Sequence, residues 1–220
     1  MKLGELTKHI NEVLKTKLNP LGFKKDGYGY TLNEKGFTKK IIFSSVNRDN
    51  SFPTSFAIWV GFLGIDKVLL TATENESELK KAKNGGQIFI RQQELFEQGK
   101  YPIKDYNIYN LEEANQVLNQ SLNYFFNSVI PEYNEFKNIQ KLENKINVKD
   151  DFTNDRFLST RLKYGLILAK LVNNPNYESL KSKYRELLKD WSDWDKQELE
   201  KVISFLDSHS QEELIKISEG

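Results

Sequence analysis

Leu3, Leu6, Ile10, Val13, Leu14 and Leu18 recur at intervals of three and four residues. That spacing puts them on one stripe of an amphipathic helix over residues 3–18. Asn19-Pro20 ends it, because a residue before proline avoids helical geometry. Strand-like runs follow. Phe23 to Leu32 sets Tyr28, Tyr30 and Leu32 on one face, with Gly27 and Gly29 opposite, where glycine marks a bulge or a close backbone approach. Asn33-Glu34-Lys35-Gly36 reads as a hairpin turn. Phe37 to Arg48 places Phe37, Ile41 and Phe43 on one face, and Ile42 and Val46 on the other. After a turn at Asp49-Asn50-Ser51, Phe56, Ile58, Val60 and Phe62 alternate with Ala57, Trp59 and Gly61. Three strands joined by short turns make an antiparallel meander, and the first helix should cover its apolar face.

The middle of the chain is less periodic. Val68-Leu69-Leu70 suits a short strand or a helical turn, and Glu74 to Gly86 reads as a charged loop. Gln87 to Phe96 reads as a fourth strand and Tyr101 to Tyr109 as a fifth, with Pro102 at an edge or a strand start. Asn110-Leu111-Glu112-Glu113 is a helix-start signature. The stripe Leu111, Ala114, Leu118, Leu122, Phe125 and Val129 continues it until Pro131 limits or kinks the helix. Residues 138–151, with scattered Leu142, Ile146 and Val148, read as a polar connection with room for a helical turn. Beyond Asp151 the period is helical throughout, with breaks at Asn173-Asn174-Pro175 and with capping signals at Asp195-Lys196-Gln197-Glu198 and Ser210-Gln211-Glu212-Glu213. The expected fold is therefore α+β. An antiparallel sheet of about five strands packs with the N-terminal helix and a following helix in a domain over residues 1–137. A C-terminal all-helical segment covers residues 151–220.

Composition supports a folded chain: 38% of residues are hydrophobic and 29% charged, enough of the former to bury a core. No run approaches the ~18 apolar residues of a membrane span. The N-terminus is polar within a few residues, unlike a signal peptide. There is no cysteine, which excludes disulfides and thiol chemistry, and a reducing cytoplasm fits. The net charge of +1 is unevenly spread: residues 1–50 hold ten Lys/Arg against five Asp/Glu. That excess suits phosphate or an acidic protein, or simply solvated lysines that keep strand edges apart.

The chemical inventory is thin. His9 and His209 lie near opposite ends of the chain, so no histidine metal spacing exists. No P-loop, GxGxxG, GxSxG or calcium-loop pattern is present. Asp193 and Asp195 read as helix-capping groups. No catalytic, cofactor-binding or metal residues are expected, and no cofactor. The aromatic set says more. Tyr28, Tyr30 and Trp59 fall on strands beside Lys24, Lys25, Lys39, Lys40 and Arg48. Tyr28, Tyr30, Lys39, Arg48 and Trp59 are the candidate partner-binding residues, since aromatics with arginine dominate protein hot spots. The plainer alternative has Tyr28 and Tyr30 covering the core and Trp59 packed under a helix. Tyr164, Tyr177, Tyr184, Trp191 and Trp194 lie at helical spacing, where aromatics are more often core than surface.

Residues 3–62 join a helix, Pro-Leu-Gly-Phe-Lys-Lys, an aromatic strand and Phe-x-Ile-x-Val-Gly. This order resembles a bacterial family of unknown function with a "GFKK" strand and meander. Its motif residues here are Leu21, Gly22, Phe23, Lys24, Lys25, Phe56 and Gly61. The resemblance implies a bacterial α+β protein and no established activity. Small bacterial proteins of this kind often neutralise toxins, which is an analogy of fold. Three functions stay open: a non-enzymatic, cytoplasmic protein-binding module of an immunity or regulatory kind; an enzyme on a small or phosphorylated substrate without His or Cys chemistry; and a weak nucleic-acid binder. The leading expectation is the first, with another protein as partner and no membrane.

Overall fold

The computed structural model describes residues 1–27, 29–34, 36–48, 51–75, 87–88, 106–147 and 158–219; the side chains of residues 55–60, 87–88, 106, 129, 132 and 133 lie outside that description. The protein is α+β, with an antiparallel sheet and a helical C-terminal segment. It divides into two compact units. One comprises residues 1–60 and 87–134, the other residues 61–86 and 135–220.

The sheet unit begins with α1 (Leu3–Leu18), whose Leu6, Ile10, Leu14 and Leu18 are fully buried. A single 3-10 turn at Asn19–Leu21 carries Pro20 and leads to β1 (Lys24–Asp26). The expected single strand from Phe23 to Leu32 is a hairpin instead. Gly27 takes φ +56 and reverses the chain, so β2 (Gly29–Glu34) returns antiparallel to β1. Gly29 is the close approach: a β-carbon there would run into the Ile41 carbonyl. β3 (Phe37–Ser45) pairs antiparallel with β2, and β4 (Phe52–Phe62) follows. The sheet order is β1-β2-β3-β4-β5, where β5 is Gln87–Ile88, and β6 (Tyr106–Ile108) also pairs with β4. The rest of the expected fourth strand, to Phe96, lies outside the described residues.

On β3, Phe37, Ile41 and Phe43 are buried while Thr38, Lys40 and Ile42 are half-buried, the two-faced pattern the sequence suggests. α3 (Leu111–Tyr124) starts at the expected cap: the Asn110 side chain accepts a bond from the Glu113 amide at 2.9 Å. α3 packs against α1. The helix is not cut at Pro131. Residues Phe125–Val129 widen into a π-helical turn that runs into α4 (Ile130–Glu135), so the missing N–H falls where the hydrogen-bond ladder already changes.

In the helical unit, residues 63–72 form α2 (Leu63–Ala72), which resolves the strand-or-turn ambiguity at Val68-Leu69-Leu70; Ile65, Val68 and Ala72 are buried. The expected polar connection contains α5 (Ile139–Asn147), started by the Asn138 side chain, which accepts from the Gln140 and Lys141 amides. Leu142 and Ile146, four residues apart, bury its inner side. α6 (Leu158–Leu171) is buried almost all round and forms the centre of the unit. α7 (Tyr177–Leu187), α8 (Asp193–Ser208) and α9 (Gln211–Glu219) complete it. α2 packs against α6, α8 and α9. α8 starts earlier than the expected Asp195 box, because Ser192 is the cap and bonds the Asp195 amide at 3.1 Å.

Candidate functional site

The five residues nominated from sequence do not assemble on one described face. Tyr30 is only 1% exposed, and its hydroxyl donates to the Asn11 carbonyl of α1 at 2.9 Å. α1 covers this face of the sheet, and a large ring with a backbone acceptor in reach is better placed inside than in water. Tyr30 thus covers the core, as the plainer alternative has it, with its hydroxyl spent on α1 rather than turned to solvent. Lys39 is buried too, its ammonium donating to Asn134 at 2.9 Å, lying 3.4 Å from Glu34 and sitting over the Phe37 ring. Arg48 is exposed, and its backbone forms an isolated bridge with Ser51. Tyr28 and the side chain of Trp59 lie outside the described structure.

What the fold does assemble is an open groove of about 730 Å³ between one face of α1 and the β1–β2 hairpin. Lys8, Asn11, Glu12, Lys15 and Asn19 line one side at helical spacing. Gly22, Phe23, Lys24 and Lys25 line the other, with Tyr30 between them. The floor is rigid: Phe23 is buried edge-on against Phe125 at 5.9 Å, and Tyr30 is tied to α1. The rim is cationic. Lys8, Lys15, Lys24 and Lys25 are exposed, and none makes an ion pair or side-chain hydrogen bond among the described residues.

Asp26 does not offset them. Its carboxylate accepts from Lys40 at 2.9 Å and from Thr31 at 3.1 Å, and these two bonds hold its pKa below the ordinary value. Glu12 is the one carboxylate among the lining residues. The N-terminal excess of positive charge thus concentrates beside an aromatic floor, where an anionic group gains from several cations at once. Lys24 and Lys25 stood in the sequence reading as neighbours of the tyrosines. Lys8 and Lys15 did not; the signal for them was the seven-residue interval that returns both to one helix face.

The helical unit holds a different chemistry, sealed inside. Asp66 is buried, and burial raises its pKa to about 7; its only described donor is the Tyr164 hydroxyl, and Oδ2 has no partner among the described residues. Burial also lifts the Tyr164 hydroxyl well above its ordinary value, and the Asp66 charge adds to it. Glu143 accepts from Asn147 at 2.7 Å and from Asn174, and the second amide hydrogen bond of Asn147 reaches the Gly165 carbonyl at 3.0 Å. Tyr184 donates to the Asn147 oxygen. No side chain fits at Gly165, since a β-carbon would press on Asn147 and lie 2.9 Å from the Tyr184 oxygen. Glu143, Asn147, Asn174 and Tyr184 satisfy one another across α5, α6 and α7, which is the pattern of a structural network. None of them lines the lysine groove.

Two further aromatics differ from the helical-core expectation. Trp194 is 64% exposed on the first turn of α8, with the Lys163 ammonium 5.4 Å from its ring, and Trp191 is half-buried. His9 meets Asn115 at 2.8 Å and His209 meets the Phe205 carbonyl at 2.8 Å, so each is a helix-packing residue. Among the described residues no group of three or more His, Asp or Glu is placed to hold a metal, and no helix is long and apolar enough to cross a membrane. Against protein-family models, curated proteins and solved structures, the chain finds no match.

Proposed function

We propose that this chain is a non-enzymatic protein-binding module, of an immunity or regulatory kind, that recognises an acidic surface through the α1–β1 groove. The observation that carries the reading is the set of four exposed lysines around the groove, none of them paired among the described residues. Such a site attracts a partner at long range through its charge and orients it through the arrangement of the lysines around the groove. The GFKK-like segment supplies β1 and two of the four lysines; its likeness supports a bacterial setting, and the lack of cysteine fits a reducing cytoplasm.

The test is affinity capture from native lysate with the wild-type chain and with the Lys8→Glu/Lys15→Glu variant. Both positions are exposed, so the variant should keep its far-UV circular dichroism. The expected result is an acidic protein recovered by the wild type, lost on the variant, and weakened by salt near a few hundred millimolar. An identical set of proteins on both baits, or none above control beads, would overturn the reading.

A further inference from the structure

We infer that the groove seats an extended acidic segment of the partner, added as a strand on the free edge of β1. This rests on the protein-binding reading above and specifies the shape and chemistry of what is bound. β1 ends the sheet order, so one of its edges has no neighbouring strand among the described residues. All three of its residues are exposed. An unpaired edge offers backbone donors and acceptors that another extended main chain satisfies and a helix cannot.

Charge selects which strand. Lys25 stands opposite Tyr30 in the register and Lys24 opposite Thr31, so the two lysines flank the edge on opposite faces of the sheet. A second copy offering its own β1 would meet like charge at Lys25 in either direction, which disfavours self-pairing. An acidic strand meets the opposite sign on both faces. On the α1 side, Lys8 and Lys15 are separated by about 10 Å of helix rise. Alternate side chains on a strand are about 6.6 Å apart, so two or three carboxylates on one face of a bound segment come within reach of this row. Glu12 lies between the two lysines and disfavours an acid directly opposite itself. Phe23 and Tyr30 are buried beneath the groove, so the lysines and the edge backbone carry the contact.

The probe is a fluorescent peptide of about eight residues alternating Glu and Val, read by anisotropy at about 50 mM salt. Two further peptides carry backbone N-methyl groups at the odd or at the even positions. A strand bound through one edge loses affinity by about tenfold or more in one methylated series and keeps it in the other. Lys8→Glu/Lys15→Glu weakens the parent peptide by a similar factor.

Equal binding of all three peptides would overturn strand addition while leaving the protein-binding reading to the capture experiment. No binding of the parent peptide, or its displacement by an equal concentration of oligothymidylate, would also overturn the inference. Failure of the reading itself shows differently, as a charge-reversed bait that captures the same lysate proteins as the wild type.

Discussion

Asp66 carries a carboxyl group into the interior of the helical unit, with Tyr164 its one hydrogen-bond donor among the described residues. Burial favours the neutral acid and moves its pKa from 3.8 to about 7. Between these values the folded chain keeps a proton that the unfolded chain has released. The contribution of neutral Asp66 to stability is therefore complete below about pH 4, falls as pH rises, and is lost above about pH 7. The loss amounts to at most about 4 kcal/mol. Asp66→Asn removes the titrating group and keeps an oxygen for Tyr164 to bond. Thermal melts at about pH 5 and about pH 8 should show a larger drop for the wild type than for Asp66→Asn, with the variant the more stable at the higher pH. Equal drops would mean that the carboxylate is solvated. At this scale sequence reasoning has little purchase: nothing in Gly-Ile-Asp-Lys distinguishes a buried aspartate from the first-turn acid of an exposed helix.

Elements were legible where one pattern dominated. The α1 stripe, the two-faced β3, and the starts of α3 and α9 follow from spacing and capping residues that act within four positions of each other. Three features depended on more than spacing. The Phe23–Leu32 run holds a reversal at Gly27 inside what counts as one alternating pattern. α2 has too short an apolar run for its period to be told apart from a strand. α5 buries Glu143 and Asn147, so its inner face looks polar until α6 and α7 provide their partners. The start of α8 gives an element-scale prediction. The Ser192 hydroxyl accepts from the Asp195 amide, and the same hydroxyl donates to the Asp195 carboxylate. Ser192→Ala should cost about 1 kcal/mol, read as a lower urea midpoint at unchanged slope. An unchanged midpoint would place the cap elsewhere.

For the whole molecule, a net charge of +1 conceals a local concentration. The basic excess of residues 1–50 was visible by counting, but its position was not. Counting along the chain cannot show that one face of α1 closes on the β1–β2 hairpin, so Lys8 and Lys15 join Lys24 and Lys25 only in three dimensions. Nor could it show which aromatics the helices would cover: Tyr30 became the floor and Lys39 went inside. Because the four rim lysines are exposed, their attraction is screened within about 10 Å at moderate salt, and binding through them should be salt-sensitive. Hydrogen exchange across the chain, with and without the alternating Glu-Val peptide, tests the central claim most directly. The account predicts slowed exchange at β1 and along Lys8 to Asn19 of the α1 side, with the helical unit unchanged. Slowing confined to the helical unit, or none at saturating peptide, would contradict it.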